Sequence, residues 1–163
     1  AIFNHASSWF ILASIMNGDV DSGYEIYRRM LPLNSSKRID RYEVEPYVFA
    51  EYITSPDHQT EGQASHYWLT GTAVWMLRIA LDHIIIFQTS LNGISINPNI
   101  PSHWKRFYAE RKFRGKLLKL NVFNPNKRNN GFSSLMINDE LVTSNFIDVN
   151  NYETNEIRIE LVL

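Results

Sequence analysis

The run Trp68-Leu69-Thr70-Gly71-Thr72-Ala73-Val74-Trp75 places a hydroxyl side chain on either side of a glycine, at the point where an apolar, helix-forming stretch begins. The first backbone N–H groups of a helix have no partner within it, and they lie at the positive end of the helix dipole. Hydroxyl, bare amides and dipole together suit an oxyanion. The same string also fits an ordinary threonine cap with glycine for close packing, and pattern alone favours the cap.

Five histidines are present, His5, His58, His66, His83 and His103. His5 stands just before the first predicted helix, where its ring N–H could donate to an anion; helix capping is the simpler role. Asp57, His58, Glu61 and His66 bring carboxylates and imidazoles close in sequence. Their spacing matches no zinc pattern, and a loop holding Pro56 and Gly62 gives no fixed geometry, so no metal is expected. Glu43, Glu45 and Glu51 surround Pro46. Paired carboxylates can do the acid and base work of glycoside chemistry, yet solvation or pairing with Arg41 accounts for these equally well, and none stands out as a catalytic acid. Trp9, Trp68, Trp75 and Trp104 could stack on sugar rings, although at these spacings tryptophans are more often core.

Two kinds of element must position these groups. Up to about residue 90 the apolar period is helical. Ser7 or Ser8 is expected to cap a first helix that carries Trp9, Ile11, Leu12, Ile15 and Met16 and stops at Gly18. Asp21 or Ser22 caps a second, ending before Pro32, and the two make a helical hairpin. Pro46 opens a third helix through Ile53, followed by a loop from Thr54 to Ala64. The fourth runs from Thr70 or Gly71 to about Phe87, apolar nearly all round and therefore buried on most sides. Residues 91–104 form a turn-rich crossing. From Lys105 onward the period is two: Leu118, Leu120 and Val122 alternate with Lys119, Asn121 and Phe123, and Ile157, Ile159, Leu161 and Leu163 with Glu156, Arg158, Glu160 and Val162. Asn138-Asp139 is a hairpin tip and 124–131 a polar loop. An antiparallel sheet or sandwich is expected there.

Composition narrows the function class. The 163 residues are 44% hydrophobic, 13% aromatic and 20% charged, which excludes disorder, collagen and membrane spans. There is no cysteine, which rules out disulfides, thiolate metal sites and cysteine nucleophiles, and fits a reducing compartment. Sixteen Lys and Arg against seventeen Asp and Glu leave a charge of −1, without the basic excess of a nucleic-acid binder. The chain begins at Ala1, and its first Lys or Arg is Arg28, so no secretory signal is visible. The beginning looks like the middle of a longer structure.

Glu45-Pro46-Tyr47-Val48-Phe49-Ala50, Gly62-Gln63-Ala64, the 68–75 string, Asn97-Pro98 and Ile100-Pro101-Ser102-His103-Trp104 occur together in order. They closely resemble the C-terminal region of the inverting cellobiose and chitobiose phosphorylases, of glycoside hydrolase family 94 type. Ile2-Phe3-Asn4-His5 fits the same register. The resemblance covers about residues 2–123 and is densest over 43–104. It implies an α+β fold: the closing helices of an incomplete (α/α)6 catalytic barrel over 1–90, the crossing over 91–104, and a C-terminal antiparallel β-sandwich-like domain over 105–163. It also implies a cytoplasmic enzyme that splits a β-glucosidic bond with inorganic phosphate, inverting to an α-sugar 1-phosphate, with phosphate as co-substrate and no other cofactor. By this resemblance His5, Thr70 and Gly71 bind phosphate. The implied partners are a disaccharide, phosphate and the upstream barrel segment; a homodimer of the whole protein is compatible with it, and neither nucleic acid nor a membrane is a partner.

Two departures stand out. The family's phosphate-binding glutamine after the Glu-Pro-Tyr-Val string is Glu51 here, and an ionised carboxylate repels phosphate. Glu51 is then protonated, or turned away, or the mark of a subgroup with another donor or acceptor, such as an aldonic acid disaccharide of the cellobionic acid phosphorylase kind. The family's general-acid aspartate and phosphate-binding arginines have no match in these residues, so this chain alone holds no catalytic acid. The rival expectations are an inverting glycoside hydrolase on a related barrel and a non-catalytic carbohydrate-binding or structural module.

Overall fold

The strand β1 (Ile2–Phe3) runs directly into α1 (Asn4–Met16) in a computed structural model that describes residues 1–35, 39–85 and 87–163. The helix starts a turn earlier than the expected serine caps. Ser7 and Ser8 lie inside it, their hydroxyls donating back to the carbonyls of Phe3 and His5 at 3.0 and 2.6 Å. The start is held instead by Asn4, whose N–H donates to Glu51 O at 2.8 Å and whose Nδ2 donates to Ala50 O at 3.0 Å. Long-range backbone acceptors thus take over the task of a local cap. Gly18, at φ 89°, ends the helix as expected.

The helix α2 (Val20–Met30) completes the hairpin, beginning after Asp19 and without a side-chain cap, so neither Asp21 nor Ser22 caps it. Gly23 allows the close approach: a Cβ there would lie 2.9 Å from Ile15 Cγ1. Two single turns follow, α3 (Pro32–Ser35) and α4 (Ile39–Tyr42).

The helix expected over 46–53 is absent. Val48 N–H closes a turn on Glu45 O at 3.0 Å, Tyr42 Oη donates to Val48 O at 2.8 Å, and β2 (Tyr52–Ile53) then pairs antiparallel with both β1 and β3 (Ala64–Ser65). Proline at the first position of a turn suits a β-turn as well as a helix. Burial of Val48 and Ala50 beside Tyr42 and Ala64 decides between them. The helix α5 (Thr72–Arg78) packs on α1, then continues as a π-helix over Ile79–Ile84 instead of reaching Phe87 as an α-helix. Thr72, Met76, Ile79 and Ile84 are buried, while Val74 and Leu77 are 64% and 58% exposed. That corrects the expected burial on most sides. Residues Ala1–Ile79 form one compact unit and Ala80–Leu163 a second.

In the second unit, β4 (Phe87–Thr89) and β5 (Ile94–Ile96) pair antiparallel and are joined by β10 (Phe146–Ile147) in a three-stranded sheet. The end of the expected fourth helix and part of the expected crossing are therefore strand. Phe87, Ile94, Ile96 and Ile100 earn this by burial in one core with the other sheet. That sheet has the order β6 (Arg106–Phe113), β7 (Lys116–Phe123), β11 (Glu156–Val162), β8 (Ser134–Ile137), β9 (Glu140–Val142). A 3-10 turn over Val149–Asn151 precedes β11.

The alternation of β7 and β11 is as expected, with Leu118, Leu120, Val122, Ile157, Ile159 and Leu161 all buried. Their pairing is not: β11 lies parallel to β7, Glu156 opposite Leu117 through Val162 opposite Phe123, so the sheet is mixed. Alternation sets which face is buried and is silent on strand direction. Asn138 and Asp139, at φ 50° and 71°, make the expected tight tip between β8 and β9. No described helix is long and apolar enough to cross a membrane.

Candidate anion site

The corner that gathers the sequence candidates is built by the start of α1, the start of α5 and the 50–51 backbone. Asn4, buried and tied to Ala50 and Glu51, fixes the first turn of α1, from which His5 projects. His5 is thus in the helix and not before it. Its ring meets Trp9 edge-on at 4.8 Å, and Trp9 meets Trp75 edge-on at 6.1 Å.

Gly71 stands against that ring. A Cβ on Gly71 would lie 2.9 Å from His5 Cε1, 3.3 Å from Nε2 and 3.4 Å from Nδ1. Only glycine lets the helix start come this close to the imidazole. Beside it, Thr70 Oγ1 and Thr72 Oγ1 share a hydrogen bond at 2.6 Å, and Thr72 N–H donates to Thr70 Oγ1 at 3.1 Å. His5 Nε2 is buried and has no hydrogen-bond partner among the described residues. A buried ring nitrogen left so costs about 1–3 kcal/mol, a cost that an oxygen placed against it removes.

Glu51 reaches this corner through its backbone, its N–H donating to Ser65 O at 3.1 Å while its carbonyl accepts from Asn4; its side chain is half-buried. Leading into Thr70, His66 and Trp68 hold φ of 54° and 66°, conformations that non-glycine residues adopt at a cost of about 1–3 kcal/mol. A cavity of about 160 Å³ adjoins Thr70, lined by Tyr47, Val48, Phe49, Trp68 and Ala73 as well.

The remaining candidates disperse. Glu61 pairs with Arg41 at 2.9 Å, Glu43 accepts from Gln63 Nε2 at 2.7 Å, and Glu45 accepts from Trp68 Nε1 at 3.4 Å. His58 Nδ1 lies 3.0 Å from Thr60 Oγ1, and the ring of His66 rests 5.4 Å from that of Tyr52. Among the described residues no three His, Asp or Glu side chains come together as metal ligands do. Trp104 packs on the second unit's core, whereas Trp9 and Trp68 are 51% and 68% exposed. Sequence reasoning missed Asn4 as the anchor of the site. A small polar residue between Phe3 and His5 was its only signal.

Residues 1–86, which contain this corner, match the model of the glycosyl hydrolase 94 superfamily, catalytic domain. The chain is 34% identical over 142 residues to N,N'-diacetylchitobiose phosphorylase of Vibrio furnissii, covering 87% of this chain and 18% of that protein. It is 26% identical over 145 residues to solabiose phosphorylase of Paenibacillus borealis, covering 89% and 19%. Against cellobionic acid phosphorylase of Neurospora crassa the identity is 26% over 126 residues, covering 75% and 16%. The chain spans less than a fifth of the length of each of these relatives. Motifs and family match agree, and the chain belongs to the glycosyl hydrolase 94 superfamily, with residues 1–86 in its catalytic domain.

Proposed function

We propose that this chain is the C-terminal part of a disaccharide phosphorylase that cleaves a β-glucosidic bond with inorganic phosphate and inverts the anomeric carbon, releasing an α-sugar 1-phosphate. Its helices close an (α/α)6 barrel, and it contributes His5, Thr70 and Gly71 to the phosphate site. The observation that carries this reading is the buried, unpartnered His5 Nε2 against Gly71. The hydroxyl of Thr70, the residue before Gly71, is hydrogen-bonded to Thr72 at the start of α5. Phosphate is an anion at neutral pH, so it needs hydrogen-bond donors and placement more than a general base. A hydrolase would instead need a carboxylate to activate water, and Glu43, Glu45 and Glu61 each already accept from a neighbouring side chain.

The leaving sugar needs a carboxylic acid to protonate its oxygen, and in this reading the upstream barrel supplies that aspartate together with further arginines. Glu51 takes the place of a neutral amide; a Glu51 side chain turned away keeps the site open, and an acceptor bearing a carboxylate is the alternative. The whole protein would act in the cytoplasm, on a disaccharide and phosphate, without another cofactor.

The test is a phosphate titration of the 15N-labelled chain. Amide shifts centred on Gly71 and Thr72, with a shift of the His5 ring signals, are expected at millimolar phosphate. Shifts confined to other residues, or none, would overturn the assignment. In the whole protein, Thr70→Ala should raise KM for phosphate far more than KM for disaccharide. Release of free glucose without phosphate would make the enzyme a hydrolase.

A further inference from the structure

The outward face of the five-stranded sheet carries side chains that neither the core nor the anion corner uses. Leu118, Leu120 and Val122 of β7 point into the core, so Lys119, Asn121 and Phe123 face outward. Across from them on β6 stand Glu110, Tyr108 and Arg106, in register with Lys119, Asn121 and Phe123 respectively. A depression of about 300 Å³ is lined there by Arg106, Tyr108, Asn121 and Phe123 with the backbone neighbours Phe107 and Val122. Tyr108 and Phe123 are 54% and 43% exposed, which is a high exposure for two large rings on adjacent strands.

The polar groups divide into two sets. The Tyr108 hydroxyl donates to the Glu110 carboxylate, which holds the ring in place, and Lys119 pairs with Glu156 at 2.6 Å. The Arg106 guanidinium and the Asn121 amide have no side-chain partner among the described residues. Tyr108 and Phe123, diagonal neighbours whose positions lie about 7–8 Å apart across the strand pair, therefore stand beside two unengaged sets of donors. Charges of both signs share the face, Lys119 and Arg158 with Glu110 and Glu160, so no one-signed field is present to draw in a polyanion.

This is the chemistry of a sugar platform. A β-linked hexopyranose presents flat C–H faces that stack on aromatic rings and a rim of hydroxyls that accept from amide and guanidinium. We infer that this face of the second unit is a separate carbohydrate-binding surface, holding a neutral, β-linked oligosaccharide across Tyr108 and Phe123 with Arg106 and Asn121 bonding its hydroxyls. The choice of a β-linked glycan rests on the phosphorylase reading above; the surface itself does not.

The experiment is a titration of the 15N-labelled full chain with cellohexaose, and separately with glucose and with inorganic phosphate. Cellohexaose is expected to shift the amides of 106–108 and 121–123, glucose to do so at least about tenfold more weakly, since one ring fills only one aromatic face. Tyr108→Ala and Phe123→Ala should each weaken cellohexaose binding by about 3- to 10-fold and leave the core amides of Leu120 and Ile159 in place. Absence of shifts on β6 and β7 with the unaltered chain would overturn the inference. So would shifts confined to residues 1–79, or binding that survives both substitutions together. The phosphate arm reports on His5, Gly71 and Thr72 and not on β6 or β7, so failure of the phosphate site and failure of this surface are read separately.

Discussion

The two units solve the problem of burial in different ways. Among its described residues the second buries fifteen apolar side chains in one cluster shared by its two sheets, from Phe87 through Leu163. The first, with nearly as many residues, leaves Trp9, Phe10, Tyr47, Trp68, Leu69, Val74 and Leu77 more than half exposed, against Leu91, Tyr108 and Leu141 in the second, and its strands are two residues long. It is the first unit that holds the His5–Gly71 corner. A larger shared core makes the second unit the firmer scaffold, while in the first the exposed ring of Trp9 lies edge-on to His5 at the polar corner.

Several measurements can break or sharpen this contrast. The largest effect concerns activity. The 163-residue chain alone should release no sugar 1-phosphate from cellobiose, cellobionic acid or chitobiose, because general acid catalysis is worth about 10²- to 10⁴-fold and no aspartate for it is assigned here. Robust phosphorolysis would show that a carboxylate such as Glu45 or Glu51 acts as the acid. Next in size, Leu120→Ala in the second unit should cost about 2–5 kcal/mol in urea denaturation, whereas Val74→Ser on the exposed stripe of α5 should change stability by no more than about 0.5 kcal/mol. Equal losses at both positions would erase the distinction between the units.

Gly71→Ala forces a methyl group to 2.9 Å from His5 Cε1. The expected cost is about 1–3 kcal/mol of overpacking, together with loss of the phosphate-induced shift at the His5 ring. An alanine variant that still titrates with phosphate would detach the anion site from this contact.

The smallest effect is electrostatic. Hydrogen bonds from Arg28 and then Arg29 hold the Glu25 carboxyl down to about 2 from its ordinary 4.5. Because the folded value is the lower one, the stabilisation is present above pH 4.5 and fades as the pH falls towards 2. On an exposed helix face it is slight. Carboxyl NMR of Glu25 should follow this curve, and Arg28→Ala should return its midpoint towards 4.5.

Much of the second unit was legible. Period-two alternation located β7 and β11, and Asn138-Asp139 marked the β8–β9 tip, because side-chain direction and left-handed turn residues are local properties. In the first unit Gly18 marked the end of α1 for the same reason. Residues 46–53 misled: Pro46 and the apolar run after it suit a helix start, while the bonds that made them a turn and a strand come from Tyr42, Ser65 and Asn4. Ser7 and Ser8 misled likewise, since what a serine caps depends on whether another segment already satisfies the helix start.

The candidate site divides along the same line. From the sequence alone, Thr70-Gly71-Thr72 before an apolar run determined a helix start rich in donors, and the family motifs attached His5 to the same chemistry. That His5 lies against Gly71, that its Nε2 is buried without a hydrogen-bond partner among the described residues, and that Asn4 ties the start of α1 to Ala50 and Glu51 were decided by tertiary structure. So was the parallel pairing of β7 with β11. Local chemistry sets what a segment can offer; only contacts between residues far apart in the chain choose its neighbour, because the free energy that selects them comes from surfaces and hydrogen bonds that do not exist until both segments meet.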